Sequence, residues 1–232
     1  RVPTVRCVIG EMDLDAEMKK LGIEHPISPT AEELSDLISE MGQPEPIASH
    51  LGPTIDIARS GAYDVSLATD GDADRLGVLD EHGNFISTLS TFALLCLYQM
   101  DVRGLRGPIV RSITQSSMID RLGALYEVPV HRTAVGFKYV GPTMMEVDAI
   151  AAGEESGGYA FRGNIPERDG ILSGLMFLDL MVKTGKRPSE LVSMLADKVG
   201  EHHYNRLDVT LEPGLSMPDI QALADHPPEQ IG

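Results

Sequence analysis

From about Ser60 to Val199 the sequence alternates short β-rich runs with helical patterns, and that alternation confines the chain to layered α/β architectures. Tyr63–Thr69 is a β-rich run, followed by the acidic stretch Asp70–Asp74 and a second apolar run, Leu76–Leu79. Asp80-Glu81-His82-Gly83-Asn84 has turn chemistry and Phe85–Thr88 reads as a further strand, which predicts a hairpin. Thr88–Met100 reads as a buried helix, and the glycines and proline between Gly104 and Pro108 mark a boundary. A second unit then runs as strand Ile109–Ile113, helix Ser116–Leu125, strand Val128–Arg132, helix Phe137–Val147 and strand Ala149–Ala152. After the glycine-rich loop Gly153–Gly158, Ile171–Val182 is apolar nearly all round and predicts a core helix capped by Asp169. Pro188–Val199 carries proline in its first turn and Gly200 just past its end, the punctuation of a helix. The fold class expected is α/β, as two consecutive three-layer α/β/α domains with mixed sheets.

The ends carry less signal. Residues 1–43 hold one helix candidate, Ala31–Met41, with Thr30 as its cap, and Pro213 to Pro228 reads as a linker or frayed terminus. The expected division is 1–103, 104–205 and a terminal segment over 206–232.

Charge restricts the partners. Thirty-five acids against nineteen bases give a formal net charge of −16, a mean field that repels nucleic acid and anionic membrane. Phe92–Leu97 is among the longest apolar runs, too short to span a bilayer. Arg1-Val2-Pro3-Thr4 lacks a charged-then-apolar leader, and two cysteines, Cys7 and Cys96, make no disulfide framework, so a cytoplasmic location is expected. Cys96 sits in an apolar run as a small buried hydrophobe. Small anionic substrates are repelled too, so a phosphate site would need its own local cations.

Asp70-Gly71-Asp72-Ala73-Asp74-Arg75 is the strongest local signal. Three carboxylates at alternate positions of an extended backbone project to one side and repel one another unless a hard divalent cation binds them. The bland reading is a solvated acidic turn, but the loop lies between two apolar strands. A calcium EF-hand fails because Arg75 stands where that loop requires glycine. A phosphatase with Asp70 as nucleophile places Asp-x-Asp after an apolar strand in the same way, although Asp74 occupies a position where such enzymes have Thr or Val. Arg75 is either a structural ion pair or a cation aimed at a phosphate that shares the metal.

Two further loops suit a ligand. In Gly153-Glu154-Glu155-Ser156-Gly157-Gly158, Glu154 and Ser156 at alternate positions would offer an acceptor and a hydroxyl to a sugar. Thr133-Ala134-Val135-Gly136-Phe137-Lys138 joins a strand to a helix, where Thr133, free amides and Lys138 could hold an anion. Arg111-Ser112 ends a strand at the edge where open α/β sheets bind ligands. Each of these also has an ordinary structural reading as a turn, a cap or a strand end.

Taken together, these segments resemble the α-D-phosphohexomutases, the phosphoglucomutase/phosphomannomutase family. DGDADR looks like the family's metal loop in the second domain and GEESGG like the sugar-recognition loop in the third. TAVGFKY, Arg111-Ser112 and Glu167-Arg168-Asp169-Gly170-Ile171 follow in the family's order. The resemblance runs from about Gln43 to Val199, roughly two thirds of the chain.

The resemblance implies a four-domain, Mg²⁺-dependent isomerase with one loop from each domain lining a cleft. A phosphoserine gives its phosphoryl group to a hexose phosphate, and the hexose 1,6-bisphosphate reorients and returns the other one. By position, Asp70, Asp72 and Asp74 would bind Mg²⁺ and Arg75 would steady the phosphate. Glu154 and Ser156 would hold sugar hydroxyls, with Arg111, Lys138, Thr133 and Gly136 along the cleft. Ala48-Ser49-His50-Leu51-Gly52-Pro53 mimics the family's serine loop but lies only about twenty residues before Asp70, so it reads as a helix start with Ser49 capping. The C-terminal Arg-x-Ser-Gly-Thr loop is absent, and Phe137 stands where some members have a histidine, so no general base is assigned. The chain thus reads as the second and third domains of a longer enzyme, inactive alone, whose partners are the hexose phosphate and the other domains of the same polypeptide. The competing readings are the Asp70 phosphatase and a non-catalytic divalent-ion-binding module. The preference among glucose, mannose and glucosamine phosphates is not encoded in these motifs.

Overall fold

The structure is a computed structural model that describes residues 6–7 and 45–204. The chain divides into two compact units, Arg1–Glu201 and His202–Gly232, and every regular element among the described residues belongs to the first. The expected helix Ala31–Met41 and the proline-rich terminal segment 206–232 lie outside the described residues.

Two four-stranded mixed sheets organise the first unit. Sheet one has the order β1 (Arg6–Cys7), β2 (Ser66–Thr69), β3 (Leu76–Leu79), β4 (Phe85–Ile86), with β1 parallel to β2 and the other pairs antiparallel. Sheet two has the order β6 (Val130–Thr133), β5 (Ile109–Ser112), β7 (Ala151–Gly153), β8 (Tyr159–Phe161), with only β7 and β8 antiparallel. The hairpin through Asp80–Asn84 forms as expected: the Asp80 carboxylate accepts from the amides of His82 at 2.9 Å and Asn84 at 2.8 Å. Strand β8 has no counterpart in the sequence reading.

Helices cover both faces of each sheet, giving the α/β/α layering expected. In sheet one, α1 (Gly52–Ala58) packs through Leu51 and Ala58 on the face carrying Ala68 and Leu79. The other face, carrying Leu67, Leu76 and Val78, shares a hydrophobic cluster with α2 (Thr88–Leu97), which continues as a π-helical turn to Val102. The same cluster takes in α3 (Met118–Leu125), α5 (Gly170–Thr184), α6 (Pro188–Val199) and the Ile109, Ala151 and Tyr159 face of sheet two. α4 (Phe137–Glu146) covers the opposite face of sheet two through Phe137, Val140 and Met144 against Val110, Ala152 and Ala160.

α2 is buried at every position but Ser90, and Cys96 within it is fully buried, so burial drives its thiol pKa upward. Asp169 caps α5, accepting from the Leu172 amide at 2.8 Å. Two expectations need correction. α5 is not a core helix all round: Met176, Phe177, Leu180 and Met181 are buried, while Ile171, Leu175 and Val182 are more than half exposed. Strands β2, β3 and β8, helix α2 and the π-helical turn after it pack against α5. Ser49 caps no helix, because the residues before α1 form turns and the helix begins at Gly52 with Leu51 at its N-cap position. Pro53 supplies the missing start signal, since its fixed φ suits the first helical turn.

Candidate functional site

The acidic loop leaves β2 as a tight turn rather than the extended run expected. The Ala73 amide donates to the Asp70 carbonyl at 3.0 Å, and Ala73 has φ 59, a left-handed conformation that costs a non-glycine residue about 1 kcal/mol. Asp70, buried at the strand end, organises the turn: its Oδ1 accepts from the amides of Asp74 at 3.0 Å and Arg75 at 3.1 Å. Convergence of the carboxylates therefore comes from the turn, not from strand alternation. Asp70, Asp72 and Asp74 each present an oxygen within 4.8 Å of the other two.

Two arginines partly neutralise this cluster. Arg75 Nε lies 3.0 Å from Asp70 Oδ2 and 3.6 Å from Asp74 Oδ1 without a hydrogen bond to either, while its Nη1 donates to Glu45 Oε1 at 2.7 Å. Arg168 Nη2 pairs with Asp74 Oδ2 at 2.7 Å. Asp74 Oδ1 is buried and accepts no hydrogen bond. An orphaned carboxylate oxygen beside two more carboxylates is a poor arrangement for the apo-protein and a suitable one for a hard cation, so the donor set fits a divalent metal.

Burial pushes the Asp74 carboxyl up to about 6; Arg168 opposes this, and the Asp70 and Asp72 charges add to it. Its folded pKa lies above the unfolded value of 3.8, so Asp74 weakens the metal-free fold as pH rises from about 4 through 6. In EDTA, the difference in unfolding free energy between D74N and wild type should move in favour of D74N by about 2 kcal/mol between pH 4 and pH 7. Urea titrations across that range would show it, and parallel pH profiles would sink it.

The start of α5 and the glycine-rich loop pack directly on the metal loop. Gly170 N donates to the Ala73 carbonyl at 2.9 Å, and a Cβ at Gly170 would meet Arg75 O at 2.5 Å and Ala73 O at 2.8 Å. Only glycine allows that approach. Leu76 N donates to Gly157 O at 3.0 Å, and Thr88 Oγ1 to Glu155 O at 2.6 Å. The structure thus brings DGDADR, GEESGG and ERDGI together.

Within GEESGG the alternation expected for Glu154 and Ser156 gives way to a turn, with Glu154 N donating to Gly158 O at 3.0 Å. Ser156 is exposed, whereas Glu154 is 7% exposed and accepts from Gly136 N at 2.8 Å through Oε1. The Gly136 amide, expected to be free for an anion, is therefore occupied, and this bond ties the two loops together. Thr133 Oγ1 donates to the Ala134 carbonyl at 3.0 Å, and Lys138 is exposed with its ammonium 5.0 Å from the Tyr139 ring centre. Arg111 is 5% exposed, not on an open wall: its Nη1 donates to the carbonyls of Ser112 and Gln115, and its Nη2 pairs with Asp120 at 2.6 Å. Burial raises the Asp120 pKa, but hydrogen bonds from Arg132 and Arg111 prevail and hold it below the ordinary carboxylate value.

Sequence reasoning gave no role to Arg168, Glu45 or Gln115, whose Nε2 donates to Glu154 O at 3.0 Å. The one sequence signal for Arg168 is its place in Glu167-Arg168-Asp169-Gly170-Ile171.

Residues 9–83 match phosphoglucomutase/phosphomannomutase alpha/beta/alpha domain II, and residues 90–199 match alpha/beta/alpha domain III. A phosphoglucomutase/phosphomannomutase of Thermococcus kodakarensis is 34% identical over 152 residues, 66% of this chain and 33% of that protein. A phosphoglucosamine mutase of Halalkalibacterium halodurans is 30% identical over 181 residues, 77% of this chain and 38% of that protein. A solved Thermus thermophilus structure, provisionally called a phosphomannomutase, superposes with a TM-score of 0.67 at 34% identity, covering 81% of this chain and 43% of the other. The chain spans about a third of the length of the curated relatives it matches.

Proposed function

Since the chain belongs to the phosphoglucomutase/phosphomannomutase family, we propose that it supplies the metal-loop and sugar-loop portions of a phosphohexomutase, an isomerase moving a phosphoryl group between C1 and C6 of a hexose phosphate. In this reading residues 1–103 are the metal-loop domain, 104–205 the sugar-loop domain and 206–232 a terminal segment, working in the cytoplasm with further domains of the same polypeptide. The observation that carries it is the Asp70, Asp72 and Asp74 oxygens within 4.8 Å of one another, bonded through Leu76 and Gly157 to the sugar-type loop.

These carboxylates would hold Mg²⁺, which supplies charge neutralisation at a transferring phosphoryl group. The chain's own residues position and neutralise. Arg75 Nε, which makes no hydrogen bond, is proposed to donate to a phosphate oxygen beside the carboxylates. Ser156 would offer its exposed hydroxyl to the sugar, and Glu154, fixed by Gly136, would take a sugar hydroxyl on its second oxygen. Lys138 and Thr133 would face the anionic end of the substrate, while Arg111 holds the end of β5 in place from inside. Ser49, exposed in a turn, has no part in the transfer. A phosphatase with Asp70 as nucleophile is disfavoured, because Asp70 is buried and its Oδ1 holds two backbone amides.

Thermal melting at low ionic strength tests the reading. Mg²⁺ at about 100 times its Kd should add about 2.7 kcal/mol, a rise of about 5 °C or more. Glucose 1,6-bisphosphate should add a second rise. No shift with Mg²⁺ would overturn the metal assignment, and a shift with Mg²⁺ alone would remove the sugar role from GEESGG in this chain.

A further inference from the structure

We infer that Arg168 is a positioning residue for the metal loop: it holds Asp74 by one carboxylate oxygen and leaves the other free to ligate a divalent cation. The inference rests on the metal reading above and adds a residue outside the three carboxylates.

A carboxylate on a turn rotates about its side-chain bonds, and a ligand must stop at one rotation. Asp74 lies one residue beyond Ala73, whose φ is 59, so the local backbone is sharply bent where the ligand must be aimed. Arg168 Nη2 sits 2.7 Å from Asp74 Oδ2, while Oδ1 stays buried without a hydrogen bond, and one Asp74 oxygen lies within 4.8 Å of an oxygen of Asp70 and of Asp72. Arg75 is engaged elsewhere: its Nε pairs with Asp70 Oδ2 at 3.0 Å and is 3.6 Å from Asp74 Oδ1, and its Nη1 donates to Glu45 Oε1 at 2.7 Å.

Arg168 is itself held. Its guanidinium carbon lies 5.6 Å from the centre of the Phe137 ring, and its Nε is 3.3 Å from Glu167 Oε1. A Cβ at Gly158 would run into its side chain. The backbone beyond it is pinned twice, by Asp169 N to Tyr159 O at 3.0 Å and by Gly170 N to Ala73 O at 2.9 Å. The orientation of Asp74 is therefore set from the second sheet and from Phe137 at the start of α4, across the fold from the strand that carries the loop. A guanidinium fork has the planar rigidity for that task.

Arg168 as a mere countercharge makes the opposite prediction. Removing a cation that competes for Asp74 would tighten metal binding, whereas removing a positioning group would weaken it. Titration calorimetry of the 232-residue protein with Mn²⁺ and Mg²⁺ reads the sign. R168A should bind about tenfold more weakly, the scale on which partners of metal ligands act. R168K, which keeps a cation able to pair with Asp74 Oδ2, should recover most of that loss. R168Q keeps a donor without the charge, so a fold damaged in R168A leaves a usable variant; its affinity should fall between those of R168A and wild type. Equal or tighter binding by R168A and R168Q would overturn the positioning role while leaving the metal site intact. A wild-type protein that binds neither ion would overturn the metal reading and this inference with it.

Discussion

F92A should lower the unfolding free energy by about 3–5 kcal/mol, a large share of the roughly 5–15 kcal/mol available to a domain. Phe92 is fully buried in α2, and its ring stacks on Tyr159 of β8, with centroids 5.4 Å apart and planes 12° from parallel. On the neighbouring strand β7, a Cβ at Gly153 would come within 2.6 Å of the Phe92 ring carbons, so the ring fills the space that glycine leaves. Alanine would open a cavity there that the backbones of β7 and β8 cannot close without breaking their pairing. Because Phe92 belongs to the cluster that also contains Leu67, Leu76 and Val78, the loss should be felt by both sheets together. Urea unfolding should show a lower midpoint with an unchanged slope. A loss below about 1 kcal/mol would mean the cluster is not the shared core the structure describes.

D70N should strongly weaken the response to divalent metal, because affinity for a hard cation follows the ligand charge count, and leave the metal-free fold as stable as wild type or more so. The two halves of this prediction separate the roles of Asp70. Its Oδ1 accepts from the amides of Asp74 and Arg75, and an asparagine oxygen can accept both bonds, so the turn survives. The charge does not survive. Removing it relieves repulsion from Asp72 and Asp74, at the cost of attraction to Arg75. Calorimetric titration with Mg²⁺, alongside urea unfolding in EDTA, would measure both terms. Metal affinity within threefold of wild type would show that Asp70 is a turn-former and not a ligand.

Much of this molecule was legible in its sequence, for local reasons. Helix α6 was read to the residue because Pro188 fixes the first turn and Gly200 follows the last. Asp169 announced the start of α5, and turn chemistry announced the β3–β4 hairpin. The three-residue strand β8 was missed because three residues after a glycine-rich loop are too few to display a two-residue period. The start of α1 was misplaced to Ser49 because a serine before a proline imitates a cap. The candidate site divides in the same way: the identity of its carboxylates was visible, and their manner of convergence was not.

The sequence by itself determined the α/β layering, the acidic loop between two apolar strands and the family to which those motifs point. Each of these depends on residues close together along the chain, through periodicity, capping and turn preference. The tertiary structure alone decided which groups face one another. It buried Arg111 against Asp120 instead of opening it to a ligand, turned Glu154 inward onto Gly136, and brought Arg168 across more than ninety residues to Asp74. No local preference encodes those pairings. A polar side chain is indifferent to its partner's position in the sequence, and only the packing of the two sheets on their shared helices settles which groups meet.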